Sequence, residues 1–377
     1  MSEDLTTKAT DTTDTTHTTG TSATGGAGKG GRKRPARAVR SPGGLSLRFD
    51  VRSGLVVLLL LVAVCAMSVI LIGQGDFPMA PGDVVATLLG NGTVAQEFIV
   101  QDLRLPRILV GLLVGAALGV GGAVFQSISR NPLGSPDVIG FGQGATVGAL
   151  TAIVVLQGGS TAVAGGAVVG GLLTGAGIYL LAWKRGVHGY RLVLIGIGVA
   201  AMLTAVNHYL ITKASLVDAT RAVLWMTGSL DGRDWAQVWP LLAVCAVLIP
   251  LVLGYGRPLR MLEMGDDAAY ALGVRVERTR LVLMGAAVLL VSVATAAAGP
   301  ITFVALSAPQ LARRLTRSPG PNLGPAAVMG ALLLLVADWT ATSAFGDRQL
   351  PAGVVTGVLG GCYLLWLLVT ERKAGRI

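Results

Sequence analysis

The stretch Leu103-Arg-Leu-Pro-Arg-Ile108 sets Arg104 and Arg107 three residues apart, just ahead of a long apolar run. Two forked guanidiniums at the start of a helix suit paired carboxylates on another protein. Pro106 fits the first helical turn, where a missing N–H is no loss. The same arginines could instead anchor a helix end by snorkelling to a membrane surface. A second candidate lies in Arg257–Arg280, at Gly265-Asp-Asp-Ala-Ala-Tyr-Ala-Leu-Gly-Val274. Ala268, Ala269 and Leu272 have helical spacing there, and Gly273 can close the helix. A partner's groove can grip such a short helix, or it can lie on the lipid surface. The third is Ser129-Arg-Asn-Pro-Leu-Gly-Ser-Pro136, whose backbone Pro132 and Pro136 fix. It reads as a gate or as a rigid turn.

Other chemistry is sparse. Asp338, in Val336-Ala-Asp-Trp-Thr340, is a carboxylate inside an apolar run, a functional candidate by default. It has no chain of Asp, Glu and His around it in sequence, so a polar contact to a neighbouring helix is expected rather than a proton relay. His208, beside Asn207, reads the same way. Gly25-Gly-Ala-Gly-Lys29-Gly-Gly resembles a phosphate loop only superficially, because the Gly and Ser/Thr positions of that motif hold Ala23 and Gly30. No Ser–His–Asp set and no metal-ligand spacing is present, so no catalytic residue, metal or cofactor is expected. Cys65, Cys245 and Cys362 each fall in an apolar run and read as small packing residues.

The elements that must hold these residues are membrane helices. Of 377 residues only 13% are charged, about half the usual share of a soluble domain, and the mean hydropathy is +0.67. Apolar runs long enough to cross a hydrocarbon core recur from Leu55 onward. Spans are expected at 54–73, 105–127, 137–156, 161–183, 191–212, 236–254, 281–298, 301–316, 324–344 and 351–370. The reading is an all-α polytopic membrane protein of about ten helices. With both termini cytoplasmic, 24 of the 30 Lys and Arg lie on the inner side, as the positive-inside rule asks. The net charge of +10 therefore reports topology. Aromatic residues interleaved with basic ones for stacking bases are absent, so no nucleic-acid partner is expected.

Glycines four apart, Gly111-Gly115-Gly119 and Gly353-Gly357-Gly361, suit close helix contacts in lipid. Residues 1–53 differ in kind. A Thr-rich stretch over Thr6–Thr24 and a basic cluster from Lys29 to Arg52 predict a disordered cytoplasmic tail attracted to anionic lipid. The helical domain is expected over 54–372, with 373–377 a short cytoplasmic end.

Several of these segments, taken in order, resemble a known family. Arg104-Leu-Pro-Arg107, Gly115-Ala-Ala-Leu-Gly119, Gln126, Arg130-Asn-Pro-Leu-Gly-Ser-Pro136, Gly142 and Gly144 are similar to the start of iron-siderophore and vitamin B12 importer permeases. Trp225-Met-Thr-Gly-Ser229, Gly299-Pro-Ile-Thr-Phe-Val304, Pro309, Ala337-Asp338, Leu350-Pro-Ala-Gly353 and Thr356 are similar to its later segments. The resemblance spans about residues 54–372. It implies one of a pair of permease subunits, a second copy or a close homologue completing the pore, in the bacterial plasma membrane. Two cytosolic ABC ATPase subunits would drive it, and an extracytoplasmic solute-binding protein would deliver the cargo, a ferric siderophore. Arg104 and Arg107 would meet carboxylates of the binding protein. Gly265, Asp266, Asp267, Ala269, Leu272 and Gly273 would form the coupling helix seated in the ATPase. Asn131, Pro132 and Leu133 would lie at the cytoplasmic gate.

The chain departs from that pattern at Gln310, where the family usually has His, at Gln349 for Glu, and at Thr342, where relatives often carry a docking Arg that Arg348 could replace. Two other classes stay in view. An ion-coupled secondary transporter would need charges at midplane, and a membrane-embedded enzyme would need a polar catalytic set within the spans. Vitamin B12 and haem are alternative cargoes.

Overall fold

The computed structural model describes residues 37–40, 46–49, 51–75, 77–183, 189–344 and 350–373. Two short strands, β1 (Arg37–Arg40) and β2 (Ser46–Phe49), pair antiparallel, with Arg37 opposite Phe49 and Arg40 opposite Ser46. These strands lie inside the segment expected to be disordered. Ser46-Leu-Arg-Phe49 alternates polar and apolar with the strand period, a signal four residues long that the surrounding composition hides. Residues 1–36, with the whole Thr-rich stretch and the start of the basic cluster, lie outside the described residues.

Helices make up the rest. The first four are α1 (Val51–Gly73), α2 (Pro81–Leu88), α3 (Val94–Glu97) and, after a π-helical segment Phe98–Arg104, α4 (Leu105–Ser129). Next come α5 (Pro136–Ile139), α6 (Phe141–Val154), α7 (Ser160–Ala182), α8 (Gly189–Lys213) and α9 (Leu216–Met226). The chain continues through α10 (Trp235–Gly254), α11 (Gly256–Glu263), α12 (Asp266–Ala271) and α13 (Val276–Ala298). It finishes with α14 (Val304–Thr316), α15 (Leu323–Ser343) and α16 (Ala352–Lys373).

Each expected span has a helical counterpart, but seven helical segments among the described residues are long and apolar enough to cross a membrane unaided. The third expected span is broken. Gly140, at φ 93°, parts α5 from α6, and a Cβ there would come within 2.9 Å of the Ala200 side chain. The close approach of α8 therefore requires glycine at this break. The eighth is the short α14, preceded by irregular backbone and by Phe303 in the left-handed region at φ 67°, a conformation a non-glycine residue holds only when its surroundings enforce it.

The core forms around α4, which is buried on nearly every face. A Cβ on Gly115 would collide with the Gly330 carbonyl of α15, one on Gly119 with the Ala326 carbonyl, and one on Gly122 with the Ala305 carbonyl of α14. Backbone contact of this kind replaces the missing hydrophobic drive between helices in lipid. The same device joins α6 to α7 through Gly144, Gly148, Gly166 and Gly170. The second expected stripe is different. Gly353 meets the Thr227 carbonyl, but Gly361 has nothing within 4 Å, and Gly360, one residue off the stripe, lies under Phe303.

Of the cysteines, Cys245 is buried and Cys65 and Cys362 are exposed on helix surfaces. The long helix α8 leaves Tyr190, Leu194, Ile197, Met202 and Tyr209 exposed. A helix this apolar and this uncovered needs lipid or a second protein against it.

Candidate functional site

The predicted site residues gather at the two ends of α4. At the first end, a cavity of about 950 Å³ is lined by Arg104, Arg107, Asp231, Asp338 and Thr342. The π-helical turn Phe98–Arg104 feeds into α4, with Pro106 in the first α-helical turn. Wide turns of this kind inside helices often occur at functional sites. Arg104 donates from Nη1 to the Ile72 carbonyl at 2.6 Å and from Nη2 to the Phe77 carbonyl at 2.8 Å. It thereby holds the end of α1 against α4.

Arg107 closes a fork on Asp338 of α15, with Nε–Oδ2 at 3.1 Å and Nη2–Oδ1 at 2.8 Å. Its Nη1 reaches Asp231 Oδ1 at 3.3 Å. The Asp338 side chain is 1% exposed, whereas that of Asp231 is 71% exposed. Asp338 thus makes the polar contact to a neighbouring helix expected of it, and the partner is a charged one. A carboxylate this buried needs a charged, hydrogen-bonded partner, and the partner is 231 residues away in sequence. Both guanidiniums expected to face a docking protein are therefore already engaged within the chain, Arg104 by backbone carbonyls and Arg107 by carboxylates. Thr342, at the edge of the cavity, donates to the carbonyl oxygens of Asp338 and Trp339. Arg348 lies outside the described residues. His208, of which an interhelical contact was expected, is exposed; its buried neighbour Asn207 makes one instead, donating to Gln143 Oε1 at 3.1 Å.

At the other end, Arg130 caps α4 in the left-handed conformation at φ 51°. Asn131 Oδ1 accepts the Leu133 N–H at 2.9 Å, a local turn that fixes the joint. Asn131, Pro132 and Leu133 are all exposed. Gln310 of α14 donates to the Pro132 carbonyl at 3.0 Å and to Gln126 Oε1 at 2.7 Å. Gln126 is buried and donates to the Leu306 carbonyl at 3.0 Å. The joint is therefore tied to α14 through two glutamines. Gln310 stood out in sequence only as a departure from a pattern; its position against the joint was not legible.

The segment Gly265–Gly273 folds as a short helix, α12, with Gly265 at φ 120° before it and Gly273 at φ 81° after it. Ala269 is buried against Leu262 and Val276. Asp266 accepts from Arg130 Nη2 at 2.5 Å and from Arg280 Nη2 at 3.0 Å. Arg280 is 3% exposed and also pairs with Glu277. Ser127 Oγ donates to Glu263 Oε1 at 2.7 Å. The predicted set thus divides: Ala269 and Asp266 face inward, while Asp267, Leu272 and Gly273 face solvent. Leu272 does not share a face with Ala269, because α12 ends at Ala271 and the chain turns away. Tyr270 and Met264, which sequence reading did not single out, are exposed as Leu272 is. Among the described residues, no group of three or more His, Cys, Asp or Glu is placed to hold a metal ion.

Residues 57–370 match the FecCD transport family. The chain belongs to the FecCD transport family. The ferric enterobactin transport system permease protein of Escherichia coli (strain K12) is 48% identical over 320 residues, which cover 85% of this chain and 97% of that one. The vitamin B12 import system permease protein of Escherichia coli O9:H4 (strain HS) is 35% identical, over 85% of this chain and 94% of that one. Among solved structures, an inward-facing metal-chelate type ABC transporter superposes with a TM-score of 0.74 at 26% identity, over 85% of this chain and 99% of that one. This FecCD chain is accordingly a transport permease, a multi-pass protein of the bacterial plasma membrane.

Proposed function

We propose that this chain is the membrane-spanning subunit of an ABC importer for ferric siderophores. It crosses the membrane about ten times with both termini in the cytoplasm, and it pairs with a second copy or a close homologue. ATP hydrolysis belongs to separate cytosolic subunits. The observation that carries the reading is the exposed helix α12, hung from the end of α4 by Asp266 and Arg130, in a chain of the FecCD family. The 48% identity to a ferric enterobactin permease supports the cargo.

In this reading Tyr270, Leu272 and Met264 sit in a groove of the ATPase, and movement of α12 reaches Asn131, Pro132 and Leu133 through Arg130. Closing of that joint would exclude the cargo from one side while the other opens, a two-state change of packed helices. A solute-binding protein would deliver the cargo at the cavity beside Arg104 and Arg107, with Arg348 contributing. The internal pairing of Arg107 leaves its Asp231 side as the part of that set open to a partner. The exposed apolar face of α8 supports the pairing with a second permease.

The test is uptake of radio-iron-labelled siderophores in cells whose own siderophore permeases are deleted. Restored iron accumulation that disappears with the ATPase subunit supports the assignment. Accumulation of vitamin B12 but of no ferric siderophore would overturn the cargo.

A further inference from the structure

A second cavity, of about 620 Å³, opens between α7, α9, α10 and α13, at the same end of the bundle as Asp231 and away from the gate joint. Its wall is apolar, with Val163, Val168, Leu241, Val244 and Val293. Its mouth holds Arg221 and Arg233, with Ser160 and Thr161 of the first turn of α7. Arg221 is exposed and makes no ion pair or hydrogen bond among the described residues. Arg233 is half-buried and spends its Nε on the Ser229 carbonyl. Burial pulls this guanidinium below its ordinary pKa, and the carboxylates of Asp231 and Asp234 oppose that shift. Asp234 also lines the cavity; its carboxylate caps α10 by accepting the Ala236 N–H at 2.7 Å. No side chain caps α7, so its first N–H groups also point at this mouth without an internal acceptor.

The surroundings place the mouth at a membrane interface. Trp225 lines the cavity, and Trp235 and Trp239 stack at the start of α10 with ring centroids 5.7 Å apart. Tryptophans gather where one end of the ring is apolar and the other wet. Cationic groups at that level, above an apolar groove running down between helices, match a molecule with an anionic head and a hydrocarbon tail. We propose that this groove is a binding site for an anionic phospholipid. Its phosphate sits between Arg221, Arg233 and the start of α7, and one acyl chain lies along the apolar wall.

The experiment uses the full chain, purified in detergent and stripped of lipid. Phosphatidylglycerol should raise the thermal unfolding midpoint saturably, and phosphatidylcholine should not. The double variant Arg221→Gln/Arg233→Gln should need roughly thirtyfold more phosphatidylglycerol for half of the effect, about fivefold for each charge lost near an anionic headgroup. Equal responses to the two lipids, an unchanged double variant, or an equal rise with inorganic phosphate would each overturn the proposal. If the double variant fails to fold, tryptophan quenching by phosphatidylglycerol brominated on its acyl chains decides. The quenching should exceed that by brominated phosphatidylcholine and should fall in Trp225→Phe. Equal quenching by both lipids, or no change in that variant, would contradict the site.

Discussion

Arg130, the residue that ends α4, lies 2.5 Å from Asp266, the residue that begins α12. This one ion pair joins the exposed short helix to the joint at Asn131, Pro132 and Leu133. Asp266 also holds the buried Arg280, so a single carboxylate fixes α12 to both α4 and α13. An exposed pair alone would be worth little. Here the buried Arg280 gives the carboxylate a fixed address.

Asp266→Asn should therefore weaken the fold by about 1–3 kcal/mol, the range for leaving a buried charged donor short of its acceptor. Uptake per ATP hydrolysed should fall about fivefold to tenfold, a coupling loss of ordinary size. Co-purification with the ATPase should persist, because the exposed Tyr270 and Leu272 are untouched. Uptake per ATP equal to that of the unaltered protein would show that the pair does not transmit movement.

Arg107 and Asp338 give a second prediction. Arg107→Leu leaves a carboxylate that is 1% exposed without its guanidinium and should destabilise the protein by roughly 3–5 kcal/mol. The double variant Arg107→Leu/Asp338→Leu should recover most of that loss, since both charges leave together. Thermal unfolding in detergent reads both values. Equal losses in the single and double variants would mean that the fork does not carry the stability.

The third concerns glycine. Gly119→Ala drives a methyl into the Ala326 carbonyl and should destabilise the α4–α15 contact by about 1–3 kcal/mol. Gly361→Ala meets open space and should stay within about 0.5 kcal/mol. Melting temperatures of the two variants, side by side, make the comparison. If Gly361→Ala is the more damaging, α16 packs against something that this chain does not supply.

The helices were legible because an apolar run of about 20 residues leaves the chain few alternatives in lipid. The close approach at Gly115 and Gly119 was legible from their spacing. The break at Gly140 was not, because its cause is Ala200, on another helix. The fork between Arg107 and Asp338 spans 231 positions, and no local pattern announces a pair that distant. The link from Gln310 to Pro132 was hidden likewise, since a glutamine in a helix carries no signal of its partner. The motifs around Arg104, Asn131 and Gly265 fall at the two ends of α4 and at α12. Which of their side chains face inward, as Asp266 and Ala269 do, depended on the packing of α11 and α13.

The most direct measurement is solute accumulation by the purified chain in sealed vesicles, with and without its ATPase subunits and ATP. A ferric siderophore should be concentrated only when the ATPase and ATP are both present, and the chain by itself should concentrate nothing under an imposed proton or sodium gradient. Gradient-driven accumulation by the chain without a second protein would contradict the account.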